Sequence, residues 1–114
     1  MEDLSVEYRD GVAWIRLDGE LVLDTTAGLK ARMEEILADP SWQALVFQLT
    51  DVGFLDSSGI GLLVALNNQI KQRGKSFFIY KPSQSVTKTL HLVKLTSFLT
   101  IVQDEEDLLA SLPD

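Results

Sequence analysis

A chain of 114 residues has room for one hydrophobic core and not for two, so residues 1–114 read as a single domain. Its composition, 46% hydrophobic and 24% charged, is that of an ordinary globular protein. The net charge of −7 argues against nucleic acid or an anionic membrane as a direct partner, since both reward clustered Lys and Arg. The absence of cysteine excludes disulfides, thiolate catalysis and Cys-type zinc sites.

Along the chain, Leu4, Val6 and Tyr8 alternate with polar residues and are followed by the turn pair Asp10-Gly11. The next run, Val12 to Leu17, carries Val12, Trp14 and the stem of Arg16 on one face and Ala13, Ile15 and Leu17 on the other. Two strand patterns around Asp-Gly predict a β-hairpin, its second strand deeper in the sheet because it is apolar on both faces. Asp24 is the expected N-cap of a helix through about residue 38, with Leu29, Met33, Ile36 and Leu37 at helical spacing and Asp39-Pro40 ending it. Ala44 to Leu49 then reads as a buried strand.

A second helix is expected from about 58 to 72, with inward Ile60, Leu63, Leu66 and Ile70, Leu62 off that face, and Gly74 as terminator. Ser76 to Tyr80 forms the next strand pattern. Pro82-Ser83 opens a third helix through roughly Leu95, with Val86, Leu90 and Val93 inward. Phe98 to Val102 reads as a short last strand, and Asp104 caps a closing helix carrying Leu108, Leu109 and Leu112. The acidic run Asp104 to Asp107 suits a first helical turn. The predicted order is β-β-α-β-α-β-α-β-α. Its fold class is α/β: a mixed, mostly parallel sheet with an N-terminal hairpin and about four helices.

The stretch Phe54-Leu55-Asp56-Ser57-Ser58-Gly59-Ile60-Gly61 stands where the second helix begins. Ser57 or Ser58 is the expected N-cap, and the glycines cost helix stability unless something approaches the backbone closely. Two readings stay open on these residues alone. One is a Ser-capped helix with glycines for tight packing. The other is a phosphoacceptor serine whose phosphate is held by the helix dipole and free N–H groups. Phe54, Leu55 and Leu62 could together form an apolar docking patch beside Ser57.

Other chemistries find little support. The only histidine, His91, has no second His or Cys for a metal site, and no metal or other cofactor is expected. Leu55 to Gly59 is not a Gly-x-Ser-x-Gly elbow, and no Gly-rich loop leads into Lys-Ser/Thr. The opening Met1 to Ser5 lacks the basic and apolar regions of a secretion signal, and no apolar run approaches the roughly 20 residues that span a bilayer. A cytoplasmic location fits.

The run from Phe54 to Gly61 resembles the signature of STAS domains, specifically the anti-sigma factor antagonists of bacterial partner switching, whose pattern is Asp-Ser-Ser/Thr-Gly-Leu/Ile-Gly. Ile15-Arg16-Leu17-Asp18-Gly19-Glu20-Leu21 is similar to the family's approach to its first helix, and Gly74 to Tyr80 to the strand after the motif helix. The resemblance implies an anti-sigma factor antagonist that is not an enzyme. Unphosphorylated, it would bind an anti-sigma factor serine kinase; phosphorylation of Ser57, rather than Ser58, would release it, and a serine phosphatase would restore it. Phe54, Leu55, Asp56, Ser58, Gly59, Gly61, Leu62 and Asp24 become expected partner-binding residues, with Gly59 and Gly61 admitting the partner's close approach. Many family members have Asp directly after Gly-Glu-Leu, where this chain has Val22. The rival roles are a stressosome scaffold and an accessory subunit of a lipid ABC transporter.

Overall fold

The computed structural model describes residues 3–113; Met1 and Glu2, part of the stretch read as lacking a secretion signal, and Asp114 lie outside the described residues. The elements are β1 (Asp3–Arg9), β2 (Val12–Leu21), α1 (Leu23–Ala38), β3 (Ala44–Leu55), α2 (Ser57–Gln72), β4 (Ser76–Tyr80), α3 (Gln84–Leu92), β5 (Ile101–Val102) and α4 (Glu105–Ser111). Their order is the predicted one. The strands form one sheet in the order β1-β2-β3-β4-β5, with only the β1–β2 pair antiparallel. At the hairpin turn Asp10 and Gly11 have φ of 53° and 76°, the left-handed pair that matches the twist of two short-coupled strands.

The two faces of the sheet are covered unequally. Ala13, Ile15 and Leu17 of β2 and Leu45, Phe47 and Leu49 of β3 meet α1, α2 and α3 in the larger core. Val12, Val46, Phe78 and Tyr80 on the opposite face pack with Leu108 of α4. The alternation in Val12 to Leu17 is thus realised strand by strand. Helix α2 ends as predicted at Gly74, whose φ of 72° lets its N–H reach Lys71 O at 2.9 Å and the Lys75 N–H reach Ile70 O at 3.1 Å.

Several boundaries differ from the sequence reading. Strand β3 does not stop near Leu49 but continues to Leu55, and β2 continues to Leu21, because the two pair with each other past the end of β4. The extension carries polar side chains because fewer neighbours cover it, and its ladder shifts register between Arg16 and Asp18 and between Gly19 and Glu20. There Asp51 accepts a hydrogen bond from Arg16 Nε at 3.0 Å, which raises the pKa of the guanidinium above its usual value.

Helix α3 ends at Leu92, leaving Val93 exposed as its C-cap while Leu95 packs against the core instead. Only Ile101–Val102 of the predicted last strand pairs, since β4 offers just Ile79 and Tyr80 as partners, and Phe98 is exposed. On α4, Leu108 is buried but Leu109 is exposed. Among the described residues, Asn67 of α2 is the one buried polar side chain, and both of its amide atoms lack a partner. No described helix is long and apolar enough to cross a membrane.

Candidate functional site

Strands β2 and β3 end side by side, Leu21 opposite Leu55, and each feeds a helix. Both helix N-termini therefore open at the same edge of the sheet, where four N–H groups per helix need partners. Asp56 supplies partners for both. It is the N-cap of α2, Oδ1 accepting from the N–H of Ser58 at 2.8 Å and of Gly59 at 3.2 Å. Its Oδ2 accepts from the N–H of Leu23, the first residue of α1, at 3.2 Å. The Asp56 N–H in turn donates to Leu21 O at 3.1 Å.

This corrects the expectation that Ser57 or Ser58 caps the helix. Asp is as good a cap as Ser, and its charge is favoured where two dipoles point at it. The serine hydroxyls are released from that duty. Ser57, at the first helical position, is exposed, whereas Ser58 is half-buried.

The start of α1 also differs. Its N-cap is Val22, not Asp24, which lies exposed in the first turn. Valine has no side-chain acceptor, so the work passes to neighbours. The Thr25 hydroxyl accepts from the Val22 N–H at 3.0 Å and donates to Glu20 O at 2.8 Å, while Asp56 takes the Leu23 N–H. The residue at which the chain departs from the family pattern is thereby compensated from within the site.

The two motif glycines have different reasons. A Cβ on Gly59 would stand 2.3 Å from Leu21 O and 2.7 Å from Leu55 Cδ1, so glycine is required there by the chain's own packing, not by a partner. Gly61 is exposed, with open space where a side chain would go.

The expected apolar patch is redistributed. Leu55 is 2% exposed and seals the end of the ladder, and Leu62 is 8% exposed, because α1 packs against that side of α2. Ile60, read as inward, is only half-buried. Phe54 remains exposed at 49%, joined by Leu23 at 71%, which the sequence reading did not single out. Its signal was present: Leu23 lies off the stripe of Leu29, Met33, Ile36 and Leu37 on the same helix.

His91 is exposed at the end of α3, in an open cleft with Lys88 and Thr87 that includes neither Ser57 nor Ser58. Among the described residues no three His, Asp or Glu side chains are grouped to hold a metal ion.

A family model described as "STAS domain" matches residues 3–108. The anti-sigma F factor antagonist of Paenibacillus polymyxa is 27% identical over 109 residues, covering 96% of this chain and 93% of that protein. The anti-sigma-F factor antagonist RsfB of Mycobacterium tuberculosis is 34% identical over 92 residues, covering 81% and 74%. Among solved structures, an anti-sigma factor antagonist from Mycobacterium paratuberculosis superposes with a TM-score of 0.85 at 26% identity, covering 100% of this chain and 96% of the other. With signature, sheet order and relatives in agreement, the chain belongs to the STAS domain family, among its anti-sigma factor antagonists.

Proposed function

We propose that this chain is an anti-sigma factor antagonist working in a bacterial partner-switching pathway, a cytoplasmic binding module and not an enzyme, with residues 1–114 as its one domain. Unphosphorylated, it binds an anti-sigma factor that is a serine kinase and so frees the sigma factor. Phosphorylation of Ser57 ends that binding, and a serine phosphatase restores it. The relatives reported above carry the names of antagonists rather than of scaffold proteins or transporter subunits.

The observation that carries the switch is the occupied state of the helix start. Asp56 already holds the N–H groups of Ser58, Gly59 and Leu23. A phosphate on Ser57 therefore finds these three amides already taken; it arrives next to a carboxylate and adds about −1.5 to −2 of charge. Burying that charge at an interface costs on the order of several kcal/mol, enough to turn a tight complex into a weak one. Exposure of Ser57 supports it as the acceptor, because a kinase must reach the hydroxyl; Ser58 is half-buried.

Co-expression with the cognate kinase tests the assignment. Intact mass should rise by one phosphate, and Ser57→Ala should abolish the gain. Phosphate found on Ser58 overturns the residue assignment. In a pull-down, the wild type should retain the kinase and Ser57→Asp should not.

A further inference from the structure

The sheet face turned away from α1, α2 and α3 is only partly covered. Helix α4 packs Leu108 with Val12, Val46, Phe78 and Tyr80 there, and beside it lies a cleft of about 340 Å³. Trp14 of β2, Gln48 of β3 and Tyr80 of β4 form the floor, and Glu105 and Leu109, about one turn apart on α4, form a wall. Arg9 and Lys81 complete the lining. The volume falls within the roughly 300–1,000 Å³ of small-molecule sites.

The charges around the cleft are not all paired. Arg9 is engaged: its guanidinium lies 4.8 Å from the centroid of the Trp14 ring, and its Nε is 3.4 Å from Glu7 Oε1. Lys81 and Glu105 are not, for among the described residues the ion pairs are Arg9–Glu7 and Arg16–Asp51. Yet these two stand at the same end of the cleft. The Lys81 N–H donates to Val102 O at 2.8 Å, and α4 begins at Glu105, three residues beyond Val102. Lys81 is held there with φ of 45°, a left-handed conformation that lysine adopts at a cost, and its Nζ lies 5.3 Å from the centroid of the Tyr80 ring. Two neutral groups at that end are also unused. The Thr50 hydroxyl donates to Lys81 O at 2.7 Å, so its oxygen can only accept from Gln48, 3.2 Å away; that fixes the Gln48 amide with its nitrogen toward Thr50 and leaves Oε1 as an acceptor. Tyr80 is 6% exposed, and among the described residues its hydroxyl has no hydrogen-bond partner.

We infer that this cleft binds a free α-amino acid with an aliphatic or aromatic side chain. The ligand's carboxylate pairs with Lys81 and accepts from the Tyr80 hydroxyl, while its ammonium pairs with Glu105 and donates to Gln48 Oε1. Its side chain lies along Trp14 and Leu109, which gives the exposed leucine of α4 a partner. A plain anion fits less well, because Glu7 and Glu105 stand beside the two cations. A plain cation fits less well, because Arg9 and Lys81 already occupy the positions over Trp14 and Tyr80. A zwitterion meets both unpaired charges and adds none to the chain's −7. Such a site is independent of the Ser57 switch, whose helix packs on the opposite face of the sheet.

Amide and indole NMR spectra of the full chain, titrated with L-leucine and L-phenylalanine, test the cleft. The Trp14 indole N–H should shift, while that of Trp42, buried and donating to Ile36 O, should not. Isocaproate and isoamylamine, which are leucine without its ammonium and without its carboxylate, should bind at least about tenfold more weakly than leucine. Lys81→Gln and Glu105→Gln, both at exposed positions, should each weaken leucine binding by at least about tenfold, and Lys88→Gln on α3 should leave it within about twofold. No shift with either amino acid at about 10 mM, or shifts confined to residues outside the cleft, overturns the site. Binding of either half-ligand as tightly as leucine overturns the zwitterion, and unchanged affinity in either cleft variant overturns that residue's role.

Discussion

Two helices of equal length start at the same edge of the sheet, and they are started differently. Helix α2 has a cap of its own, Asp56, immediately before its first residue. Helix α1 follows Val22, whose side chain has nothing to offer, and borrows from Thr25 and from Asp56 on the neighbouring turn. One carboxylate thus serves two helix starts. A charge added at Ser57 is delivered next to the group on which both depend. That is more than a capped helix with a reactive serine would offer.

The largest effect should come from the packing beneath the α2 start. Gly59→Ala places a methyl group against backbone, not against a yielding side chain, and should destabilise the fold by about 3 kcal/mol in urea unfolding. A variant as stable as the wild type would mean that α2 is free to move away from Leu21. Next comes the shared cap. Asp56→Ala should cost about 2 kcal/mol, more than a single-helix cap, and Asp56→Asn should recover most of it because the amide oxygen still accepts. Hydrogen exchange sharpens the comparison: Asp56→Ala should speed exchange of the Leu23 amide on α1 as well as those of Ser58 and Gly59 on α2. If only the α2 amides respond, the two starts are independent.

Smaller effects of opposite sign should follow further along α2. Asn67 is buried with both amide atoms unpartnered, so Asn67→Leu should stabilise by about 1 kcal/mol, read as a higher urea midpoint. Gly61→Ala meets open space and gains helix propensity, so it should stabilise by somewhat less than about 1 kcal/mol. Two glycines of one motif, two residues apart, would then differ in the sign of their effect. Equal destabilisation by both would break the distinction between a glycine needed by the fold and one that the fold leaves open.

Much of this was legible in one dimension because it depends on neighbours in the chain. The Asp10-Gly11 turn, the alternation of Val12 to Leu17, the stripe of Leu29, Met33, Ile36 and Leu37, and the stop at Gly74 are each set by local backbone preference and period. The Asp56 cap is legible in part, since Asp before Ser-Ser competes equally with the two hydroxyls for the cap position. What was not legible depended on which element lies alongside. Leu62 is off the stripe facing the sheet, yet it is buried because α1 covers that flank. Strand β3 runs through polar Thr50 and Asp51 because β2 stays beside it beyond the end of β4.

The sequence by itself determined the element order, the location of the motif at a helix start and the family, since period, turn chemistry and a short signature are properties of adjacent residues. Only the tertiary structure decided that Asp56 bridges two helices, that Gly59 is claimed by Leu21, and that Leu23, Ala27 and Lys30 join Ser58 around one groove. These pairings join residues about 30 or more positions apart, brought together by the β2–β3 register and the parallel crossovers through α1 and α2, and no local preference encodes them.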